Sequence, residues 1–301
     1  MLGFNRPRCS LKIGPRHAAW AELTRDLRGR SSCSYRVAEL ADGLVRSSPG
    51  ELNITDPVAL EARLRELIGL RKGQTRPAVL VLPDVCVRAS LLELDVVPSR
   101  ADEREALIRW RLERDVHCPL TEAKVVSQVL GPKTILAVVI RDQVLRQYEA
   151  VCEAAGLAPV EVDIASFRLW NLFLNAAAPQ DPVAGLCLLD GGFTLLIFHE
   201  GRLAFQRIKM RSQDGFEDLA NSLAYYTETH PEAVPKRLTL ISDAPEPELM
   251  PRIAEKLKME VVELTWTDLR RAGWVSVEDA VVASHRPTTP ATEPPLVVHY
   301  P

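Results

Sequence analysis

The order of local patterns repeats along this 301-residue chain, and the repetition restricts the fold more than any single motif. In the first half, strand-like runs at 9–14, 18–23 and 35–40 make a meander, with Gly14-Pro15 and Asp42-Gly43 as turn signals. A helix follows, with Asp56 as its N-cap, Pro57 at its first position, and Leu60, Leu64, Leu67 and Ile68 as its apolar stripe. Residues 78–82 are then a short, wholly apolar strand suited to a sheet interior. The second half reads the same way. A meander at 185–190, 194–199 and 203–208 turns at Glu200-Gly201 and is followed by a helix at 215–229 and a buried-type strand at 237–241. A helix marked by Leu249, Ile253 and Leu257 and a strand at 261–264 close that half.

Between the halves, residues 85–166 read strand (87–97), helix (101–117), strands (124–130 and 134–140), helix (142–155) and strand (157–164). That order is a split βαβ unit, inserted into a larger α/β frame. In its first helix Ile108, Leu112 and Val116 recur every four residues, with charged groups over the remaining surface. Ser99 or Asp102 is available to cap its start. Trp110 at this spacing belongs to core or a subdomain interface before it belongs to a ligand site. Val144, Tyr148, Val151, Cys152 and Ala155 share a face of the second helix, and Gly156 fits the left-handed position just past its end. The expected division is 9–84 with 164–180 as a first subdomain, 85–163 as the module, 183–286 as a second subdomain, and 287–301 as a disordered tail. An apolar helix at 166–177, a linker at 179–182 and a short helix at 277–284 complete the expectation. The tail holds five prolines and one apolar run, Leu296-Val297-Val298.

Composition removes several function classes. A 47% hydrophobic and 26% charged chain is globular, and a net charge of −3 gives no basic footprint for nucleic acid. No uncharged apolar run reaches the ~18–20 residues of a membrane span; the best, 183–198, carries Asp190 and glycines. The start, Met1-Leu2-Gly3-Phe4-Asn5-Arg6-Pro7-Arg8, lacks the apolar core of a signal peptide. Six scattered cysteines without a CxxC read as reduced thiols of the cytosol, and six histidines without an HxxxH suggest no metal. There is no G-x-S-x-G nucleophile turn. The basic loop Gly69 to Thr75 follows a helix and lacks the Gly-Lys-Ser/Thr ending of a phosphate loop.

Duplicated halves of this kind, each with a glycine turn between its first two strands, are the pattern of the actin-like (ribonuclease H-like) ATPase architecture. Backbone N–H groups of such turns make anion-binding concavities. The run Glu105-Ala106-Leu107-Ile108-Arg109-Trp110 onward to Gln128-Val129-Leu130-Gly131 resembles the type IV pilus assembly protein PilM family. So do Ala154-Ala155-Gly156-Leu157 with Val162-Asp163, and Leu189-Asp190-Gly191-Gly192. The resemblance spans residues 10–286, and the module stands where that family and the cell-division protein FtsA carry theirs. The cytoplasmic part of the type II secretion protein GspL is a related pattern.

The resemblance implies an actin-like fold with an inserted module and a reduced outer subdomain, since only 25 residues separate Met210 from Lys236. It implies a cytoplasmic platform of a type IV pilus, or a related secretion machine, that serves pilus assembly and twitching motility. Such a platform lies peripheral to the inner membrane and captures the N-terminal cytoplasmic peptide of a PilN-like bitopic protein. Pilus motor or platform proteins and a homo-oligomer are further implied partners; nucleic acid is not. The peptide would lie between the module and the first subdomain, on an edge at 87–97 or 134–140, with Arg88, Leu92, Leu94 and Trp110 as groove candidates. The nucleotide-loop remnants are Lys12, Gly14, Asp190, Gly191, Gly192 and Thr194. Lys12 stands where the family has an acidic residue, and a lysine cannot ligate Mg²⁺ as a carboxylate does. Pro15 removes a backbone donor, the second turn is about two residues short, and Ser242-Asp243-Ala244-Pro245 replaces the adenosine-side glycines. The expectation is a pseudo-ATPase with no catalytic residue, no metal and no cofactor, with retained ATP/Mg²⁺ binding and a switching or polymerising ATPase as the alternative. Asp190 before two glycines also fits an ordinary turn after a strand.

Overall fold

A computed structural model describes residues 7–25, 31–71, 73–116, 118–169, 182–264 and 298–299. The expected linker at 179–182 except residue 182, the helix at 277–284, the helix beyond residue 169 and the tail apart from 298–299 lie outside the described residues. The chain divides into two compact units, one of residues 1–83, 142–168 and 266–301, the other of 84–141 and 169–265.

The first unit is built on β1 (Cys9–Ile13), β2 (His17–Arg25), β3 (Ser31–Glu39), α1 (Pro57–Ile68) and β4 (Arg76–Leu82). β1, β2 and β3 form an antiparallel meander, and β4 lies parallel to β1 on its other side. The Asp56 side chain accepts from the Ala59 N–H at 3.0 Å, Pro57 needs no donor there, and Gly69 ends α1 with φ +67. Leu60, Leu64, Leu67 and Ile68 are all buried.

β5 (Arg88–Glu93), α2 (Ala101–Leu112), β6 (Ala123–Val129) and β7 (Thr134–Arg141) follow, then α3 (Asp142–Ala154) and β8 (Leu157–Ile164). These six elements do not form one unit. β5, β7 and β6 make an antiparallel sheet with β7 in the centre. β8 instead runs parallel to β4 in the first sheet, and α3 lays Val144, Leu145, Tyr148, Val151 and Cys152 inward beside α1. The expected split βαβ module is corrected to one helix on three strands. The physical reason is that residues 161–164 are buried, as a strand beside the wholly apolar stretch 78–82 of β4 must be. β4, α3 and β8 are a parallel crossover, and residues 84–141 interrupt it. α2 starts without a side-chain cap, and Asp102 pairs with Arg100 instead.

The second unit repeats the order of the first. The elements are β9 (Val183–Leu188), β10 (Gly192–His199), β11 (Arg202–Met210), α4 (Gly215–Thr229), β12 (Arg237–Ser242), α5 (Leu249–Lys256) and β13 (Glu260–Glu263), and the strands form a sheet ordered β11-β10-β9-β12-β13. The first sheet is ordered β3-β2-β1-β4-β8, extended at its β8 edge by β14 (Val298–His299). Parallel and antiparallel pairs match position by position, so the duplication read in the sequence is a duplication of topology. Ala184, Leu186, Leu195, Ile197, Leu219, Leu238, Leu240 and Ile253 form the core between this sheet and its helices.

Candidate functional site

The turn of the first half joins β1 to β2. Lys12 lies within β1, paired with Ala19, and Gly14 is buried. The Gly14 N–H donates to the His17 carbonyl at 2.9 Å. An amide that a phosphate would need is thus already bonded within the hairpin.

The turn of the second half joins β9 to β10 and belongs to the other unit. Asp190 and Gly191 have φ +57 and +76, the positive pair of a type I′ turn. The Gly192 N–H closes that turn on the Leu189 carbonyl at 2.8 Å. The Asp190 N–H donates to Asp243 Oδ2 at 2.7 Å, and the Gly191 carbonyl accepts from the Arg211 N–H at 3.0 Å. Two amides of the turn are therefore satisfied within the protein, one of them by a carboxylate that repels phosphate. Asp190 serves as the first central residue of a two-residue hairpin, the plainer of its two sequence readings.

Thr194 has a partner within its own unit. Its hydroxyl donates to Asp84 Oδ2 at 2.6 Å, with Thr194 1% and Asp84 4% exposed. Asp84 opens a 3₁₀ turn, Asp84–Cys86, whose Val85 lies so near Gly192 that a Cβ there would come within 3.0 Å of its Cγ1. The hydroxyl thus fixes the 3₁₀ turn to the second hairpin.

Ion pairs fill the loops after β11 and β12. Arg211 holds Glu246 through both guanidinium nitrogens, at 2.5 and 2.8 Å, and this bond raises the arginine above its ordinary value. Burial alone would raise the Asp218 carboxyl, but bonds from Lys209 and the Ser212 N–H outweigh it and hold the group below the usual range. The bond from Arg252 lowers Asp214, which also caps α4 through the Phe216 N–H. These contacts close β11 onto α4 with four connecting residues, 211–214. The sequence reading reaches Asp243 within 242–245 but not Glu246. The signal is the replacement of an expected glycine pair by 242–245.

The groove candidates separate by burial. Leu92 and Leu94, at 9% and 6% exposed, pack with Ile108, Leu112, Ile135 and Val139 beneath α2. They are core, because Glu93 and Asp95 alternate with them and turn the leucines inward. Arg88 is exposed, and Trp110 is 59% exposed with Arg111 over its ring, so Trp110 is not core. β7 is paired on both sides and offers no edge, contrary to expectation. The Gln206 side chain of β11 donates to the Ala89 carbonyl of β5 at 2.6 Å. Among the described residues no cluster of three metal-ligating side chains occurs.

No family model matches the sequence, and no curated protein matches it. Solved structures do match. A chain of the PilM–PilN type IV pilus biogenesis complex is similar over 92% of this chain and 97% of its own, at 16% identity and a TM-score of 0.71. A Bacteroides thetaiotaomicron protein described as having an actin-like ATPase fold covers 95% and 100%, at 9% identity and 0.59. The cytoplasmic domain of EpsL, an inner-membrane component of the type II secretion system of Vibrio cholerae, covers 91% and 92%, at 12% identity and 0.54. The chain has the actin-like fold. No helix among the described residues is long and apolar enough to cross a membrane.

Proposed function

We propose that this chain is a cytoplasmic platform protein of a type IV pilus or related secretion machine, bound to the inner membrane through a PilN-like bitopic partner. The observation that carries the reading is the likeness to a chain of the PilM–PilN complex, which runs nearly end to end on both sides. The likeness to the EpsL cytoplasmic domain supports the same class of role. In this reading the chain is a pseudo-ATPase. Its second turn is closed on its own carbonyl and on Asp243, Thr194 is committed to Asp84, and Lys12 is no metal ligand.

The partner's N-terminal cytoplasmic peptide is the ligand. Trp110 and Arg88 are the nominated residues free to touch it, and Leu92 and Leu94 support α2 from beneath. Tryptophan and arginine are among the residue types enriched where interface binding energy concentrates, and Trp110 carries Arg111 over its ring. The test is fluorescence anisotropy of the labelled peptide against purified protein, with and without Mg-ATP. Saturable binding that is the same without nucleotide is expected. Binding that strictly needs Mg-ATP, or none at all, contradicts the proposal.

A further inference from the structure

We infer that the outer edge of β8 is a strand-acceptor site, which the chain fills with its own C-terminal segment at Val298–His299. β8 pairs with β4 on one side. On the other, β14 runs antiparallel to it, Val298 opposite Val162 and His299 opposite Glu161.

Three features of β8 make it an acceptor. Glu161, Val162, Asp163 and Ile164 are all buried, although the strand would be a sheet edge without β14. Backbone groups at a buried edge need a hydrogen-bonding partner, since water reaches them poorly. The acceptor stretch is also bounded. Pro159 has no N–H, and the register against β4 skips Val160, which is 39% exposed. A helical turn begins at residue 165. The edge open to a strand is therefore four residues, 161–164. Finally, Arg168 pairs with both Glu161 and Asp163, so the stretch is held straight by a buried ion-pair cluster.

The occupant matches in sequence. Leu296-Val297-Val298-His299-Tyr300 is bracketed by Pro295 and Pro301, and prolines at both ends confine strand pairing to that run. β-Branched residues favour the extended backbone that pairing requires. The site thus takes a short, extended, apolar strand by main-chain hydrogen bonding, the mode of strand addition. The inference is independent of the platform reading, because its ligand is a segment of this chain.

Hydrogen–deuterium exchange tests it, comparing the full chain with a chain lacking residues 296–301. Deletion is expected to speed exchange about tenfold at the amides of 161–163 that face β14, a loss of ~1.4 kcal/mol of local protection, while the Ile164 amide, held by the Asp163 side chain, and those of β1 and α1 keep theirs. Addition of a synthetic Leu296–Pro301 peptide is expected to restore protection. The double variant Val298→Pro/His299→Pro keeps the chain length and should behave like the deletion, since alternate residues of an antiparallel strand face the partner. Unchanged exchange at every amide of 161–163 would overturn the inference. So would exchange that rises equally in β1 and α1, which makes the segment part of the core, or a peptide that restores nothing.

Discussion

Replacing Thr194 by Val keeps the shape of the side chain and removes one hydroxyl. In this protein that hydroxyl donates to the Asp84 carboxylate at 2.6 Å, and neither residue is more than 4% exposed. A hydrogen bond to a charged group contributes about 1.5–3 kcal/mol, and a buried carboxylate deprived of a donor feels most of that loss. In a cooperative unit of about 150–250 residues each kcal/mol moves Tm by ~2–4 °C, so Thr194→Val should lower it by roughly 3–12 °C. Urea unfolding of Thr194→Val, Asp84→Asn and the double variant gives the coupling between the two, expected at ~0.5–3 kcal/mol. The reasoning fails if Thr194→Val unfolds within ~0.5 kcal/mol of the parent, or if the two changes simply add. Either result would free the hydroxyl for the phosphate-side role it has in the ATPase reading.

Gly192→Ala should destabilise by about 1–3 kcal/mol in denaturant titrations, because the new Cβ meets Val85 Cγ1 at 3.0 Å and the Leu189 carbonyl at 3.1 Å. Adding Val85→Ala should recover only part of it, since the carbonyl stays. Asp218 lies below its ordinary value, so its contribution is present above about pH 4 and lost as pH falls through the folded value. Asp218→Asn should cost ~1–2 kcal/mol at pH 7, discounted because Lys209 is 41% exposed, and the gap to the parent should close on acidification below pH 4. Leu92→Ala should cost ~2–5 kcal/mol from its place beneath α2. Trp110→Ala should leave stability within ~0.5 kcal/mol while weakening partner-peptide binding tenfold or more by anisotropy.

Much of the architecture was legible because its signals are local. Asp56-Pro57 marks the start of α1, and 215–229 is the full length of α4. Glu200-Gly201 is a tight turn with both φ values positive. The module's composition was not legible, because local pattern says that 157–164 is a strand and not which sheet receives it. Leu157 to Ile164 can satisfy a parallel partner anywhere; the burial of 161–164, which sent it beside β4, depends on elements far away in sequence. In the two separate turns, Lys12 and Asp190 stand out by where they depart from or match a family pattern. The contacts that decide their chemistry do not. Asp243 reaches Asp190 across 53 positions, and Asp84 reaches Thr194 across 110, separations at which no periodicity carries information. Leu92 and Leu94 could have been read as core from their alternation with Glu93 and Asp95.

Titration calorimetry of Mg-ATP, and of a non-hydrolysable analogue, into the folded protein tests most directly whether the second turn is a structural hairpin instead of a phosphate cradle. With the Gly192 and Asp190 amides bonded to Leu189 and Asp243, no saturable heat is expected up to millimolar nucleotide. Micromolar binding by either nucleotide would contradict the account and return the chain to the nucleotide-switched class.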